Sequence, residues 1–292
     1  MANVVKIRYP AINVDGKYGT VVEVSLHKTD WVKGYLVTFS EGTLTGGTSP
    51  AWTVSKTNPA FSNLQVNYDS DVRYNMSGKS AQEYIYIVRN GAENGLTFYV
   101  PMEDYDYASR KAIEGTYGKS FIHSDNKLYL TLPALTSLTS GTPTGTSGSE
   151  VQITEVTVIA PHNLSSAIVK KIEIGGDLPA SGSNYLNDFI ATGLAYKALL
   201  WSFSAGTLSY VKITVDNKAI VLDDYFSNMQ YGNEHDFGQL PDNYYALTEF
   251  MKTENTAELL NLVNSKSTTL EINTSAASMT FNVTEIFYAG TE

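Results

Sequence analysis

Val72-Arg-Tyr-Asn-Met-Ser-Gly-Lys79 and Val211-Lys-Ile-Thr-Val-Asp-Asn-Lys218 follow one plan: an apolar strand breaks at a small polar turn, and a Lys follows at the same offset. The first runs on to Arg89-Asn-Gly91 and the second to Met229-Gln-Tyr-Gly232, each through a short stretch that reads as helix. Each half then supplies an apolar-aromatic strand ending in Met, Thr97-Phe-Tyr-Val-Pro-Met102 and Tyr244-Tyr-Ala-Leu-Thr-Glu-Phe-Met251. Both halves finish on a Thr-Glu pair inside a strand, Thr154-Glu155-Val156 and Thr284-Glu285-Ile286. A unit used twice predicts a duplicated fold. The expected division is 1–161 and 162–292, because Pro161, His162 and Asn163 interrupt the strand pattern between Ala160 and Ser165.

Composition supports that division and narrows the function. A chain of 292 residues, 42% hydrophobic, has the length for two ordinary cores. Twenty Tyr and eleven Phe suit pleated, half-buried surfaces, and 22 Gly supply turns, which is an all-β composition. The net charge of -10 disfavours tracking a phosphate backbone, so no direct nucleic-acid contact is expected. The chain has no Cys, which removes disulfides, thiolate nucleophiles and Cys-based zinc sites together. No window reads as a signal peptide or a membrane-spanning helix, and the sequence predicts a product made in the cytoplasm.

Alternation places strands at Val21–Leu26, Tyr35–Phe39, Leu128–Leu132 and Val151–Val158, then at Val169–Ile174, Val211–Val215, Leu270–Ile272 and Met279–Tyr288. Helix is expected where Leu222, Tyr225, Phe226 and Met229 share a face, with Asp216 or Asn217 as cap, and near Asn255, where Asn255 and Glu258 resemble a capping box before Leu259, Leu262 and Val263. Ala81–Val88 reads equally as strand by propensity, and only the repeat argues for helix there. The Ser/Thr/Gly-rich stretch 136–149 matches the short connection Asn273–Ser278 of the other half, so it is an expanded surface loop rather than a linker. Residues 40–70 and 176–208 read as long insertions projecting from each half.

No residue is nominated as catalytic, cofactor-binding or metal-ligating. Gly78-Lys79-Ser80 and Gly118-Lys119-Ser120 lack the earlier Gly of a phosphate loop, Arg73 and Ile113 standing there, so both are turn residues. His27, His123, His162 and His235 show no metal-ligand spacing. Glu103, Asp104 and Asp106 lack the ordered oxygen spacing of a calcium loop and read as a solvated turn before a helix. Trp31, Trp52 and Trp201 are candidates for a sugar-stacking platform, although cores and interfaces consume the same residues. No Gly-x-Ser-x-Gly elbow is present, so the chain is expected not to be an enzyme.

The order of strand, small turn, Lys, helix, aromatic strand and two closing strands resembles the major capsid proteins of icosahedral viruses with an internal membrane. The nearest likeness is to the corticovirus type, with those of lipid-containing flavobacterial phages beside it. It is carried by Val72–Lys79 and Thr97–Met102, and by Val211–Lys218, Tyr244–Met251, Leu259–Val263 and Phe281–Tyr288, and least by the first 70 residues. The resemblance implies a double jelly roll, two tandem eight-stranded β-sandwiches with a few short helices, and a homotrimer that tiles a virion shell with neighbouring trimers. Vertex proteins and an underlying membrane are implied as partners, with no small-molecule substrate and no cofactor. The Tyr and Phe excess suits such an interface, and no strongly basic or apolar terminal arm stands ready to grip a bilayer. A carbohydrate-binding adhesin or phage spike is the alternative for this composition, and a two-carboxylate glycosidase a weaker one.

Overall fold

The computed structural model describes residues 3–28, 31–91, 94–106, 111–112, 116–159, 167–204, 208–242, 244–251 and 256–291. The first half contributes strands β1 (Asn3–Arg8), β2 (Val21–Ser25), β3 (Trp31–Ser40), β4 (Asn63–Tyr68) and β5 (Asp71–Ser77), helix α1 (Gly78–Arg89), and strands β6 (Thr97–Pro101), β7 (Asn126–Thr131) and β8 (Glu150–Ile159). The second contributes β9 (Ala167–Leu178), β10 (Gly182–Asn187), β11 (Ala195–Phe203), β12 (Leu208–Val215) and β13 (Ala219–Asp224), helix α2 (Phe226–Phe237), and β14 (Tyr245–Glu249), β15 (Thr268–Thr274) and β16 (Met279–Thr291). Each strand of the second half thus corresponds to the strand eight labels earlier.

Pairing makes the correspondence complete. In the first half the strand orders are β1-β8-β3-β6 and β2-β7-β4-β5, and in the second β9-β16-β11-β14 and β10-β15-β12-β13, all neighbours being antiparallel. Two sheets of four antiparallel strands in this order form a jelly roll, so the chain is a double jelly roll. Strand alternation sets the inward faces: β7 buries Leu128 and Leu130, and β8 buries Val151, Ile153 and Glu155. In the first core, Phe61 meets Phe98 edge to face with ring centroids 5.2 Å apart. In the second, Phe203 meets Phe226 the same way at 5.2 Å.

The two sandwiches are joined by hydrogen bonding as well as packing. β5 pairs in parallel with β9, Lys171 opposite Tyr74 and Ile172 opposite Asn75, so one sheet runs through both halves. Ala198 and Leu200 of β11 pack into the first core, while Leu199 and Trp201 pack into the second. Both faces of β11 are therefore covered, which explains why Ala198-Leu-Leu-Trp201 is apolar without alternation.

The repeat is real, but Val211–Lys218 does not match Val72–Lys79. Asp69, at φ 53°, turns β4 into β5 and accepts the amides of Ser124 (2.8 Å) and Asp125 (2.9 Å). Asp216, at φ 51°, turns β12 into β13 and accepts those of Lys266 (2.7 Å) and Ser267 (3.1 Å). The counterpart of Asp216 is Asp69, and that of Val72–Ser77 begins at Ile220. The sequence alignment was one hairpin strand out, because both strand ends present apolar alternation, a small polar turn and a Lys. Leu222 consequently lies in β13, not on a helix; α2 starts at Phe226 and is preceded by Tyr225, not by Asp216 or Asn217.

The helix expected near Asn255 is a single 3₁₀ turn, Thr256–Glu258, followed by the short strand Leu260–Asn261; Asn255 itself lies outside the described residues. Residues 176–208 do not project: they supply the end of β9, then β10 and β11. Residues 41–62 of the first half do leave the two four-stranded sheets, with Ala60 and Phe61 returning to the core before β4 at 63–68. Their Thr43–Thr45 pairs with Gly145–Ser147 and their Ala51–Trp52 with Thr139–Ser140, so the excursion and the loop 136–149 zip together. The break expected at Ala160–Ser165 lies outside the described residues.

Candidate functional site at the seam between the sandwiches

The acidic run Glu103-Asp104 is not a solvated turn, and the short strand Tyr105–Asp106 follows it instead of a helix. Glu103 is 1% exposed and Asp104 0%, at the end of β6 where the halves meet. Burying a carboxylate costs several kcal/mol unless cations and donors replace its water, and the second sandwich supplies them. Lys197 of β11, also fully buried, pairs with Asp104 at 2.8 Å, and the Tyr288 hydroxyl of β16 donates to the same oxygen at 2.6 Å. Lys171 of β9 reaches back to donate to the backbone oxygens of Glu103 (2.9 Å) and Pro101 (3.4 Å). Desolvation pulls the Lys171 ammonium down to about 8, against the attraction of Asp104.

Glu103 pairs with Lys33 at 3.2 Å and accepts from the Tyr99 hydroxyl at 3.2 Å. Burial nevertheless raises its pKa, the Lys33 charge opposing. The Asp106 side chain lies outside those described. Among the described residues no group of three or more His, Asp and Glu side chains is disposed to hold a metal ion.

Gly78-Lys79-Ser80 opens α1, and its helix N-terminus does hold a carboxyl group, supplied by the chain itself. Glu173 of β9 accepts from the Ser77 amide, from the Ser77 hydroxyl at 3.1 Å and from the Ser80 hydroxyl at 3.0 Å. Burial raises the pKa of Glu173, and those donors oppose the rise. Gly78 is required for space: a Cβ there would lie 2.0 Å from the Phe61 carbonyl oxygen. Gly78→Ala is therefore expected to cost about 2 kcal/mol of unfolding free energy by overpacking. The roughly 1 kcal/mol that Ala gains over Gly in an unhindered helix gives the opposite sign, so a urea titration separates the two.

The remaining nominated residues are dispersed. In the second Gly-Lys-Ser set, Gly118 packs on Tyr68 and Lys119 lies over the Trp31 ring, 5.2 Å from its centroid. His27 stacks on Tyr9, His123 binds Asp69 at 2.9 Å, His235 is exposed beside Asp236, and His162 lies outside the described residues. Trp31 and Trp201 are fully buried, and the Trp52 indole donates to the Gly42 carbonyl at 2.8 Å, so the three do not form the sugar platform considered above. Between the halves there is also a cavity of about 510 Å³, lined by Lys79 and Glu83 of α1 and by Tyr244 and Phe281.

Sequence reasoning missed the buried lysines. The signal was available: Lys171 and Lys197 each interrupt an apolar strand, where an inward cation requires an inward anion. The repeated Thr-Glu pair lies inside a closing strand of each half, as expected. Glu155 of β8 lies in the first core and accepts from the Tyr9 hydroxyl, and Glu285 of β16 lies in the second and accepts from the Tyr196 hydroxyl at 3.3 Å.

No protein-family description and no curated protein matches the sequence. Solved structures do match the fold. A chain of Sulfolobus Turreted Icosahedral Virus superimposes with a TM-score of 0.75 at 12% identity, covering 97% of this chain and 90% of that one. The major capsid protein P2 of bacteriophage PM2 gives 0.69 at 11% identity, with 100% and 98% covered. A chain of the PBCV-1 virus capsid gives 0.61 at 12%, with 100% and 96% covered. From its first strand to its last, this chain is a double jelly roll, similar in architecture to these viral capsid chains.

Proposed function

We propose that the chain is the structural major capsid protein of an icosahedral virus, a building block without catalytic activity. Its halves, 1–161 and 162–292, stand as neighbouring sandwiches, and three chains close into a ring of six that tiles the virion shell over an internal membrane. Synthesis and assembly belong in the host cytoplasm, with vertex proteins and the membrane or its proteins as further partners. The observation that carries this reading is the duplication: the same strand order twice, in one chain that spans at least 90% of the capsid chains it resembles. Two like sandwiches let a threefold oligomer present a nearly sixfold outline, which packs in flat arrays. A net charge of -10 leaves genome contact to other components.

Native mass spectrometry of the purified chain is expected to give a species of three chain masses, with hexagonal outlines in negative stain. A monomer under mild conditions would overturn the proposal. A trimer that binds glycans saturably and never forms sheets would favour the adhesin.

A further inference from the structure

The seam inside the chain is a contact between two kinds of strand that each occur twice. β5 of the first sandwich meets β9 of the second; their counterparts, β13 and β1, are both edge strands with one neighbour each among the described residues. We infer that β1 of one copy docks in parallel on β13 of the next, repeating between chains the contact that β9 makes with β5 within one. The inference rests on the capsid reading and names the contact that closes its ring.

Internal equivalence fixes the register. Ile7 lies opposite Glu155 and Ile172 opposite Glu285, so Lys6 corresponds to Lys171 and Val4 to Val169. Tyr74 lies opposite Val66 and Leu222 opposite Ile213, each just beyond a bulge at the same place, so Leu222 corresponds to Tyr74 and Asp223 to Asn75. The β5–β9 register then transfers as Lys6 opposite Leu222 and Ile7 opposite Asp223.

Exposure points the same way. Val169 is 5% exposed at the internal seam, whereas Val4 is 55% exposed, and Ile220 on β13 is also 55% exposed. Lys171 is buried, and Lys6 is exposed. β1 and β13 are thus apolar edges left open, the kind of edge that natural proteins cover.

Charge is complementary as well. β1 carries Lys6 and Arg8, and β13 carries Asp223 and Asp224, with Arg8 opposite Asp224 in the transferred register. The receiving backbone is also present. Met102 and Glu103 donate their amides to the Lys33 carbonyl, and Phe250 and Met251 donate theirs to the Lys197 carbonyl. The carbonyls of Glu249 and Met251 therefore stand where those of Pro101 and Glu103 receive Lys171, and Lys6 of the next copy would be received there. Because β1 and β13 are different surfaces, the contact is heterologous, and it closes when the rotation between copies completes a ring.

The chain has no cysteine, so a pair can be placed cleanly. In Ile7→Cys combined with Asp223→Cys, mild oxidation is expected to convert most chains into covalent dimers and trimers on a denaturing gel. Either single variant should stay at one chain mass. Independently, Val4→Asp, a change at an exposed site, should reduce the trimer population at least about tenfold with an unchanged circular dichroism spectrum. An unmodified chain that is trimeric, together with a double-Cys variant that is trimeric but never cross-links, would overturn this seam and leave the capsid proposal standing. An unmodified chain that never trimerises would overturn both.

Discussion

Replacing Lys197 with Met is expected to lower the unfolding free energy by about 3–5 kcal/mol, because it leaves the carboxylate of Asp104 buried without the ammonium that directly pairs with it. Both side chains are 0% exposed and 2.8 Å apart, so the pair is shielded from bulk solvent. The companion change Asp104→Leu should be costly alone, for the reciprocal reason. In the double variant most of the loss should return, since a buried ion pair replaced by apolar groups of similar volume is often neutral. A residual cost of about 1 kcal/mol is expected from the Tyr288 hydroxyl, which loses its acceptor. Urea unfolding of the four proteins completes a double-mutant cycle, and simple additivity of the single losses would contradict the pairing. The pair joins β6 of one sandwich to β11 of the other, so the loss should appear as earlier separation of the halves.

The second large effect depends on pH. Glu285 sits in the second core at 5% exposure, and desolvation lifts its pKa from 4.5 to about 7, against the hydrogen bonds that favour the charged form. A carboxyl whose folded pKa is raised gives its full stabilisation below the unfolded value and loses it as pH rises through the folded value. Wild type should therefore lose about 3 kcal/mol relative to Glu285→Gln between pH 4.5 and 7. Lys171 acts in a separate window: its pKa falls from 10.5 to about 8, so its burial penalty is relieved as pH rises from about 8 to 10.5. Denaturation midpoints of wild type and Glu285→Gln across pH 4 to 8 test the first window, and a constant difference would refute it.

The fold was legible in the sequence because jelly-roll strands bury one face and so alternate. Leu128-Tyr-Leu-Thr-Leu132 and Val151–Val158 declare themselves by period alone. The duplication was legible for a similar reason: both closing strands bury a Glu, so the Thr-Glu pair survives as a marker in each. Reasoning failed where tertiary contact overrode the period. β11 is covered on both faces and shows no alternation, so residues 176–208 read as an insertion. β13, lying between an Asp turn and a helix, was absorbed into that helix because Leu222, Phe226 and Met229 fall at helical spacing by coincidence. The seam was the least legible part. Nothing local distinguishes a solvated acid from Asp104, whose partners lie 93 and 184 residues away in Lys197 and Tyr288.

Among the described residues the zipped excursion on the first sandwich has no equal on the second, where Thr274 and Met279 are joined by only Ser275–Ser278. In a six-membered ring made by three chains, relief would then rise on alternate members only, and the tile would carry three knobs rather than six. A short epitope spliced between Gly141 and Gly148 would be displayed three times per tile, so labelled images would reveal the orientation of every tile in a sheet.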